Sequence, residues 1–477
     1  MAIIPKSGIT ISRLKISEME GLWTKMWDPP RESPLTPENI NPTNPVPTFM
    51  GTLFGAPSVA NTVQRSLLHG LSINTWDGLK NIQFMTFRDD DFAPEAFPAA
   101  TIRVPRGVVF HAESQGQGPP PHTIHWHGIE PTPMNDGVGH CSMEIGQYIY
   151  QWQPNFIGTY FYHCHRNTVQ HFEFGLYGML LIEPPDAFDP TDGKNVAGYP
   201  RRTAANLATF PLFADKFVGG DPTFGVGNAT DTGVGDPHAF TVEYDVEALW
   251  VPDDRDSVWS DLASNAKAFY PGGAATQDGH FVDALGAAVP VTQPGVDDQF
   301  PHGFFHDFNA DYWFVTGVPV PAPRGGAATI DPTAAPPLGG SGGVNLGPTG
   351  EIPNFLNSGV TGMQIAVNAQ VNQVILVRCL NAAYNSIKVS FPIDVVITAF
   401  DGRALGVPPF ARYNRPFTLP ANTPIHLSTA RRFDALIRSA LPVNDVATVQ
   451  FFDTRGQTVR PDADRLLVTA RIPIVIA

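Results

Sequence analysis

Two short segments constrain this chain more than anything else in it: PHTIHWHGIE (Pro121–Glu130) and GTYFYHCHRNTVQHFEFGLYGMLLIEPP (Gly158–Pro185). They crowd histidines together and carry Cys164, one of only three cysteines. Read as strands, they sort by parity, because successive side chains point to opposite faces. His125 and His127 share one face, and His122, three positions earlier, lies on the other. In the second segment His163 and His165 share a face and Cys164 between them points the opposite way. Pairing the two strands therefore creates two separate metal positions. One offers a thiolate and an imidazole, from Cys164 and His122; the other offers four imidazoles, from His125, His127, His163 and His165. Downstream, His171 can return to the thiolate side.

Two histidines and one cysteine are the trigonal ligand set of a blue-copper electron-transfer site. His122, Cys164 and His171 supply it. The four remaining histidines look like half of a second, larger copper site.

Composition sets the frame for these motifs. A chain of 477 residues is too long for one ordinary core and points to two or three domains. With 44 glycines, 47 prolines and 32 phenylalanines, and few helical runs, it reads as β-rich and loop-rich. A formal charge of −15 argues against nucleic acid and anionic membranes as partners. It permits a cationic substrate or a basic redox partner. Three cysteines cannot build a disulfide framework, and a Cys141–Cys379 bridge stays open. No apolar run is long enough for a membrane span. The N-terminus lacks the basic-then-apolar layout of a secretory signal, so the chain is leaderless or its leader was removed before this numbering began.

Taken in order, residues 1–64 are proline-rich and polar and read as an extended N-terminal arm or a tail. Residues 65–188 hold short β-branched and aromatic runs broken by turn residues, including INTWDGLKNIQFMTF and ATIRVPRGVVFHAES. They close with the apolar strand GMLLIEPP. His111 reads as an ordinary strand histidine. Residues 189–208 are a linker. Residues 209–477 form a second β-rich domain with histidines at 238, 280, 302, 306 and 426 and no His-x-His pair. Its strands include FTVEYDVEALWV, DYWFVTGVPV, MQIAVNAQVNQVILVRCL, RRFDALIRSA and RLLVTARIPIVIA. DSVWSDLASNAKAFY is the best short-helix candidate, and the Pro/Gly/Ala stretch at 318–350 reads as an exposed loop. The fold class is all-β: two Greek-key β-sandwich domains, only the first equipped for metal.

These motifs resemble those of the multicopper oxidases and the related copper nitrite reductases, which are built from cupredoxin β-sandwiches. The likeness runs from about Gly70 and is specific in the first half. His122-x-x-His125-x-His127-Gly128 matches the family's H-x-x-H-x-H-G. The match implies His122 on type 1 (blue) copper and His125 and His127 on a type 2/type 3 cluster. His163-Cys164-His165 matches H-C-H, implying the thiolate on type 1 copper and both imidazoles on the cluster. His171 to Leu176 matches H-x-x-x-G-[Leu/Met], where the histidine completes type 1 and the last residue sits axially. That register puts Leu176, which cannot ligate, at the axial position. Met179 is its rival, because the Cys-to-His loop is longer than usual. Asn135-Asp136-Gly137 with Cys141, Val396–Gly402, and Arg432-Phe433-Asp434 look like family framework. The resemblance also implies a periplasmic or extracellular location.

The departure from the pattern carries as much weight as the match. A full cluster in this family needs twice as many histidines, drawn from two domains. A homo-oligomer could place two first domains face to face and complete it. The leading expectation is a laccase-like oxidoreductase: single electrons pass from a reductant to type 1 copper, then through His-Cys-His to a cluster that reduces dioxygen. The reductant is a small molecule, a metal ion or a redox protein. The alternative is a blue-copper carrier or copper-holding protein without oxidase activity. A nitrite reductase is disfavoured, since its second-domain histidine has no counterpart here. Around the site, His140 reads as framework and Met134 and Met143 as loop packing. Asp136, Glu144 and Glu173 are candidates to orient a ligand imidazole or a substrate.

Overall fold

The structure is a computed structural model that describes residues 62–88, 97–105, 110–115, 123–129, 135–138, 147–152, 154, 157–165, 168–183, 188–189, 194–195, 246–264, 308–331, 365–405, 417–455 and 459–477. The arm as far as Asn61 lies outside these residues, as do most of the linker and His122, Met134, His140, Cys141, Met143 and Glu144.

The first domain is built from β1 (Thr62–Asn74), β2 (Asn81–Arg88), β3 (Ala99–Pro105), β4 (Phe110–Gln115), β5 (His125–His127), β6 (Gln147–Trp152), β7 (Gly158–His163) and β8 (Tyr177–Glu183). One helical turn and a half, α1 (Thr168–Glu173), joins β7 to β8. The strands form two four-stranded sheets, ordered β2-β1-β4-β6 and β3-β8-β7-β5. From β3 to β7 the chain switches sheet at every strand, as a sandwich requires. Between the sheets lies a buried aromatic group. Trp126 stands 5.3 Å from Trp152 and 5.9 Å from Tyr150 and from Tyr162, and Tyr162 stands 5.3 Å from Phe87. One boundary moves: β1 starts at Thr62, inside the expected arm, where it pairs in parallel with β4 from Thr62↔His111 onward.

Within the expected linker, β9 (Phe188–Asp189) and β10 (Lys194–Asn195) form a short antiparallel ladder. The second domain then runs through β11 (Val246–Trp250), β12 (Pro252–Arg255), α2 (Ser257–Ser264), β13 (Tyr312–Val315), β14 (Val318–Pro319) and β15 (Ala327–Thr329). It continues with β16 (Val367–Ala369), β17 (Ile375–Leu380), β18 (Ser386–Ser390), β19 (Val395–Phe400) and β20 (Arg403–Ala404). The last strands are β21 (Phe417–Leu419), β22 (Ile425–Leu427), β23 (Arg432–Ile437), β24 (Val443–Phe452) and β25 (Leu466–Ile476). Two six-stranded sheets result, β11-β17-β23-β19-β20 with β21 on β19, and β15-β25-β24-β18-β22 with β16 on β25. The expected helix is α2, and Asp256 caps it by accepting the backbone N–H groups of Val258 and Trp259 at 2.9 and 3.2 Å. The stretch expected as a loop from 318 is structured at its start: β15 adds in parallel to β25.

Each domain presents one sheet to the other. Alternation on β17 and β23 sends Val377, Cys379, Phe433 and Ala435 into the second domain's core. Arg378, Leu380, Arg432 and Asp434 therefore face the first domain. Opposite them, Phe161, Tyr177, Met179 and Leu181 pack with Leu249, Val251, Phe314 and Leu380. Polar contacts fix the approach. Tyr160 donates its hydroxyl proton to the Gly402 carbonyl at 2.6 Å, and Thr159 donates to Asp434. Gly402 has φ +72°, and a Cβ there would lie 2.3 Å from the Tyr160 ring, so only glycine fits. Among the described residues, no helix is long and apolar enough to cross a membrane.

Candidate metal centre

The imidazole face is set by strand register. β5 pairs antiparallel with β7 so that His125 opposes His163 and His127 opposes Phe161. Directly opposed residues share a face. His125, His127 and His163 therefore converge, with ring nitrogens all within 4.8 Å of one another. His165 joins at the end of the strand, its ring 5.1 Å from that of His125 and 5.6 Å from that of His163. Backbone contacts settle which nitrogens point inward. His125 Nδ1 donates to the Asp136 carbonyl at 2.6 Å, and His163 Nδ1 donates to the Cys164 carbonyl at 2.9 Å. Each leaves Nε2 free to ligate. His163 Nε2 stands 3.2 Å from His127 Nδ1.

Charge is disfavoured on three of these rings. Burial pushes His127 down to about 3, helped by the cation of Arg432 and by His125 and His165. Burial also drives His163 well below its ordinary value and lowers His165. Neutral imidazoles gathered on one face are metal ligands in their binding form. Arg432 is the second domain's contribution here. Its Nε donates to the Thr159 carbonyl at 3.2 Å, and its guanidinium lies 5.5 Å from the Phe161 ring. A Cβ on Gly128, which has φ +92°, would meet Arg432 Nη2 at 2.6 Å. The glycine closing HTIHWHG is thus favoured by its positive φ, and a side chain there would also crowd an arginine three hundred residues further along the chain.

On the other face of the same ladder, Cys164 points into the first sandwich with Trp126 and Tyr162. It is fully buried, as is His171, and Cys164 Sγ lies 3.1 Å from His171 Nδ1. That spacing suits two donors on one ion. Leu176 extends the ladder opposite Cys164, with the Cys164 N–H donating to the Leu176 carbonyl at 3.1 Å. Met179 stands elsewhere. It opposes Phe161 in the β7–β8 register and belongs to the apolar seam between the domains. Parity thus separates the rival axial residue from the thiolate by the thickness of the sheet.

Of the residues singled out by sequence, the structure brings together His125, His127, His163 and His165 on one side, and Cys164, His171 and Leu176 on the other. His122 lies outside the described residues. His111 is in β4 as expected. Asp136 does reach a ligand candidate, its Oδ1 lying 3.3 Å from His125 Nδ1. Glu173 does not. It is fully buried and accepts the Asp256 N–H at 3.2 Å and the Ser260 hydroxyl at 3.0 Å. Burial, opposed by the Arg255 charge, raises its carboxyl well above the usual range. Arg432, Tyr177, Asp253 and Arg255 were not singled out as site residues, because only distant folding brings them near. Cys379 is a free, buried thiol in β17.

Soft thiolate with imidazole on one side and clustered neutral imidazoles on the other is a donor set that suits copper. Comparison with known proteins agrees with this chemistry. Residues 92–187 match the multicopper oxidase family. The chain is 36% identical over 100 residues to an L-ascorbate oxidase of Cucumis sativus, covering 19% of this chain and 16% of that protein. It is 42% identical over 65 residues to copper resistance protein A of Pseudomonas syringae pv. tomato, covering 13% and 10%. The chain thus spans less than a fifth of the length of these two relatives. Among solved structures, the blue copper oxidase of Nitrosomonas europaea aligns over 86% of both chains with 15% identity and a TM-score of 0.43. The part of the chain that matches the multicopper oxidase family, residues 92–187, is the segment that carries both histidine clusters.

Proposed function

We propose that this protein is a copper-dependent oxidoreductase that takes single electrons from a reductant and passes them to dioxygen. Copper, when bound, supplies the one-electron chemistry: four one-electron donations and four protons convert one dioxygen to two waters. The chain's residues divide that work. His122, Cys164 and His171 would hold type 1 copper, with the non-ligating Leu176 beside them. His125, His127, His163 and His165 would hold the type 2/type 3 cluster on the opposite face. Burial, helped by Arg432, keeps His127 neutral, burial does the same for His163 and His165, and Asp136 orients His125.

One observation carries this reading. His163, Cys164 and His165 are consecutive, so a single peptide step joins the thiolate on one face to imidazoles on the other. A covalent path that short favours electron transfer between two sites over storage of copper at either. Among the described residues, the second domain's facing sheet offers arginines and acids and no histidine. A partner subunit would supply the remaining cluster ligands, two first domains meeting across a two-fold axis.

Copper content per subunit, with optical and paramagnetic resonance spectra of the purified oligomer, tests the reading. The expected result is a thiolate band in the blue region, a second copper signal, and oxygen uptake with a phenol or ferrous salt. Type 1 copper alone without oxygen uptake would leave a blue-copper carrier. Cys164→Ser should abolish the band. A monomer in solution would sink the shared cluster.

A further inference from the structure

The segment His171–Tyr177 holds a thiolate-side ligand candidate and the axial position, and both of its ends are gripped by the other domain. At one end Glu173, the last residue of α1, is tied through Oε1 to the Asp256 N–H and the Ser260 hydroxyl at the start of α2. At the other end the Tyr177 phenol donates to Asp253 Oδ2 at 2.5 Å. Asp253 is held in turn by Arg255, with Nη1 2.8 Å from Oδ1 and Nη2 2.6 Å from Oδ2. The Arg255 guanidinium lies 5.4 and 5.1 Å from the Phe84 and Phe97 ring centroids. In the middle of the segment, Met85 N–H donates to the Phe174 carbonyl at 2.9 Å, a tie from the first domain itself.

A helix of six residues cannot hold its shape alone, so tertiary contacts decide where His171 sits. A buried carboxyl is an expensive way to make such a contact, since apolar packing would stabilise as well without the desolvation cost. Directed hydrogen bonds give something packing does not: a fixed orientation for the turn that bears the ligand.

We propose that Glu173 is a positioning residue for His171, and that the histidine-poor second domain sets the geometry of the thiolate site through Glu173 and Tyr177. The proposal rests on the copper reading of Cys164 and His171. Glu173 acts by anchoring α1 to α2.

The test uses the full chain as wild type, Glu173→Ala, Glu173→Gln and Ser260→Ala, with two readouts. In the copper-loaded protein these are the thiolate absorption band and the reduction potential. In the copper-free protein the readout is amide hydrogen exchange across residues 168–177. Glu173→Ala should shift the band and the potential and speed exchange of the Leu176 amide, which donates to the His171 carbonyl, about tenfold or more. Glu173→Gln keeps an acceptor at Oε1 and should restore wild-type values in both. Ser260→Ala, which removes one donor only, should move both readouts the same way by less. Wild-type band, potential and exchange in Glu173→Ala would overturn the proposal. If that variant does not fold, wild-type behaviour of Ser260→Ala overturns it instead. A wild-type protein that never shows a thiolate band would mark failure of the copper reading, which the exchange measurement on copper-free protein tells apart from failure of the anchor.

Discussion

Two sheets meet at the domain boundary, and each uses strand alternation to load its facing surface with polar groups. The second domain's face closes its charges on themselves. Arg378 Nε donates to Glu247 at 2.7 Å and its Nη1 stands 4.0 Å from Asp434, which also accepts the Thr159 hydroxyl. The first domain's face does the reverse. It gathers like groups, His125, His127, His163 and His165, and burial with mutual repulsion favours the neutral form of the last three. One surface is complete as folded. The other, on the proposed function, would be completed by a copper ion. The same period-2 geometry therefore yields a clamp in one domain and a ligand set in the other, and which one results depends on whether the side chains can satisfy each other.

The sharpest way to break this contrast is to open the clamp. Arg378→Met leaves Glu247 and Asp434 buried without their cation and should cost about 3–5 kcal/mol in urea unfolding. Converting all three residues to apolar ones should recover most of that. A loss under about 1 kcal/mol for the single change would mean the charges are not closed on one another.

Acid should act on the other face. His127 binds its proton near pH 3 when folded and near its ordinary 6.5 when unfolded. The unfolded chain therefore takes up the proton first. The contribution to stability is whole above about 6.5 and is lost as the pH falls toward about 3, by up to about 1.4 kcal/mol per pH unit for each such imidazole. His163 adds in the same direction. Denaturant midpoints of copper-free protein at several pH values across that window measure the slope, and His127→Phe should remove one imidazole's share. A flat profile would erase the distinction between the faces.

Smaller effects sharpen the picture of how the sheets are held together. Gly402→Ala forces a Cβ into the Tyr160 ring at a positive φ and should cost about 1–3 kcal/mol, read as a drop in thermal midpoint. Asp256→Ala removes the cap of α2 and should cost about 1 kcal/mol, with the helix signal weakened locally.

Much of the site was legible because its information is local. Parity along Tyr162-His163-Cys164-His165 needs no partner to be read, and the register of β5 on β7 follows once both are strands. Leu176 was reached only through the resemblance of His171–Leu176 to the family's H-x-x-x-G-[Leu/Met] ending. Met179 was not excluded by sequence, because only the pairing of Phe161 with Met179 shows which side it takes. Glu173 looked like a loop acid near a ligand, yet its partners lie eighty and more residues away on α2. Arg432 and Gly402 are further still from the residues they touch, and their roles depend on how two sandwiches dock. Short-range alternation survives translation into sequence; docking between distant surfaces leaves only scattered arginines, acids and glycines.

The β7 ladder also works as a wall. Cys164 lies on one side of it and His125, His127 and His163 on the other. Groups bound on the two sides would be kept apart by one layer of backbone. If the proposed oxidase function holds, a reductant acting from the thiolate side would never meet the oxidant, and the surface outside the first sandwich would decide which donors are accepted.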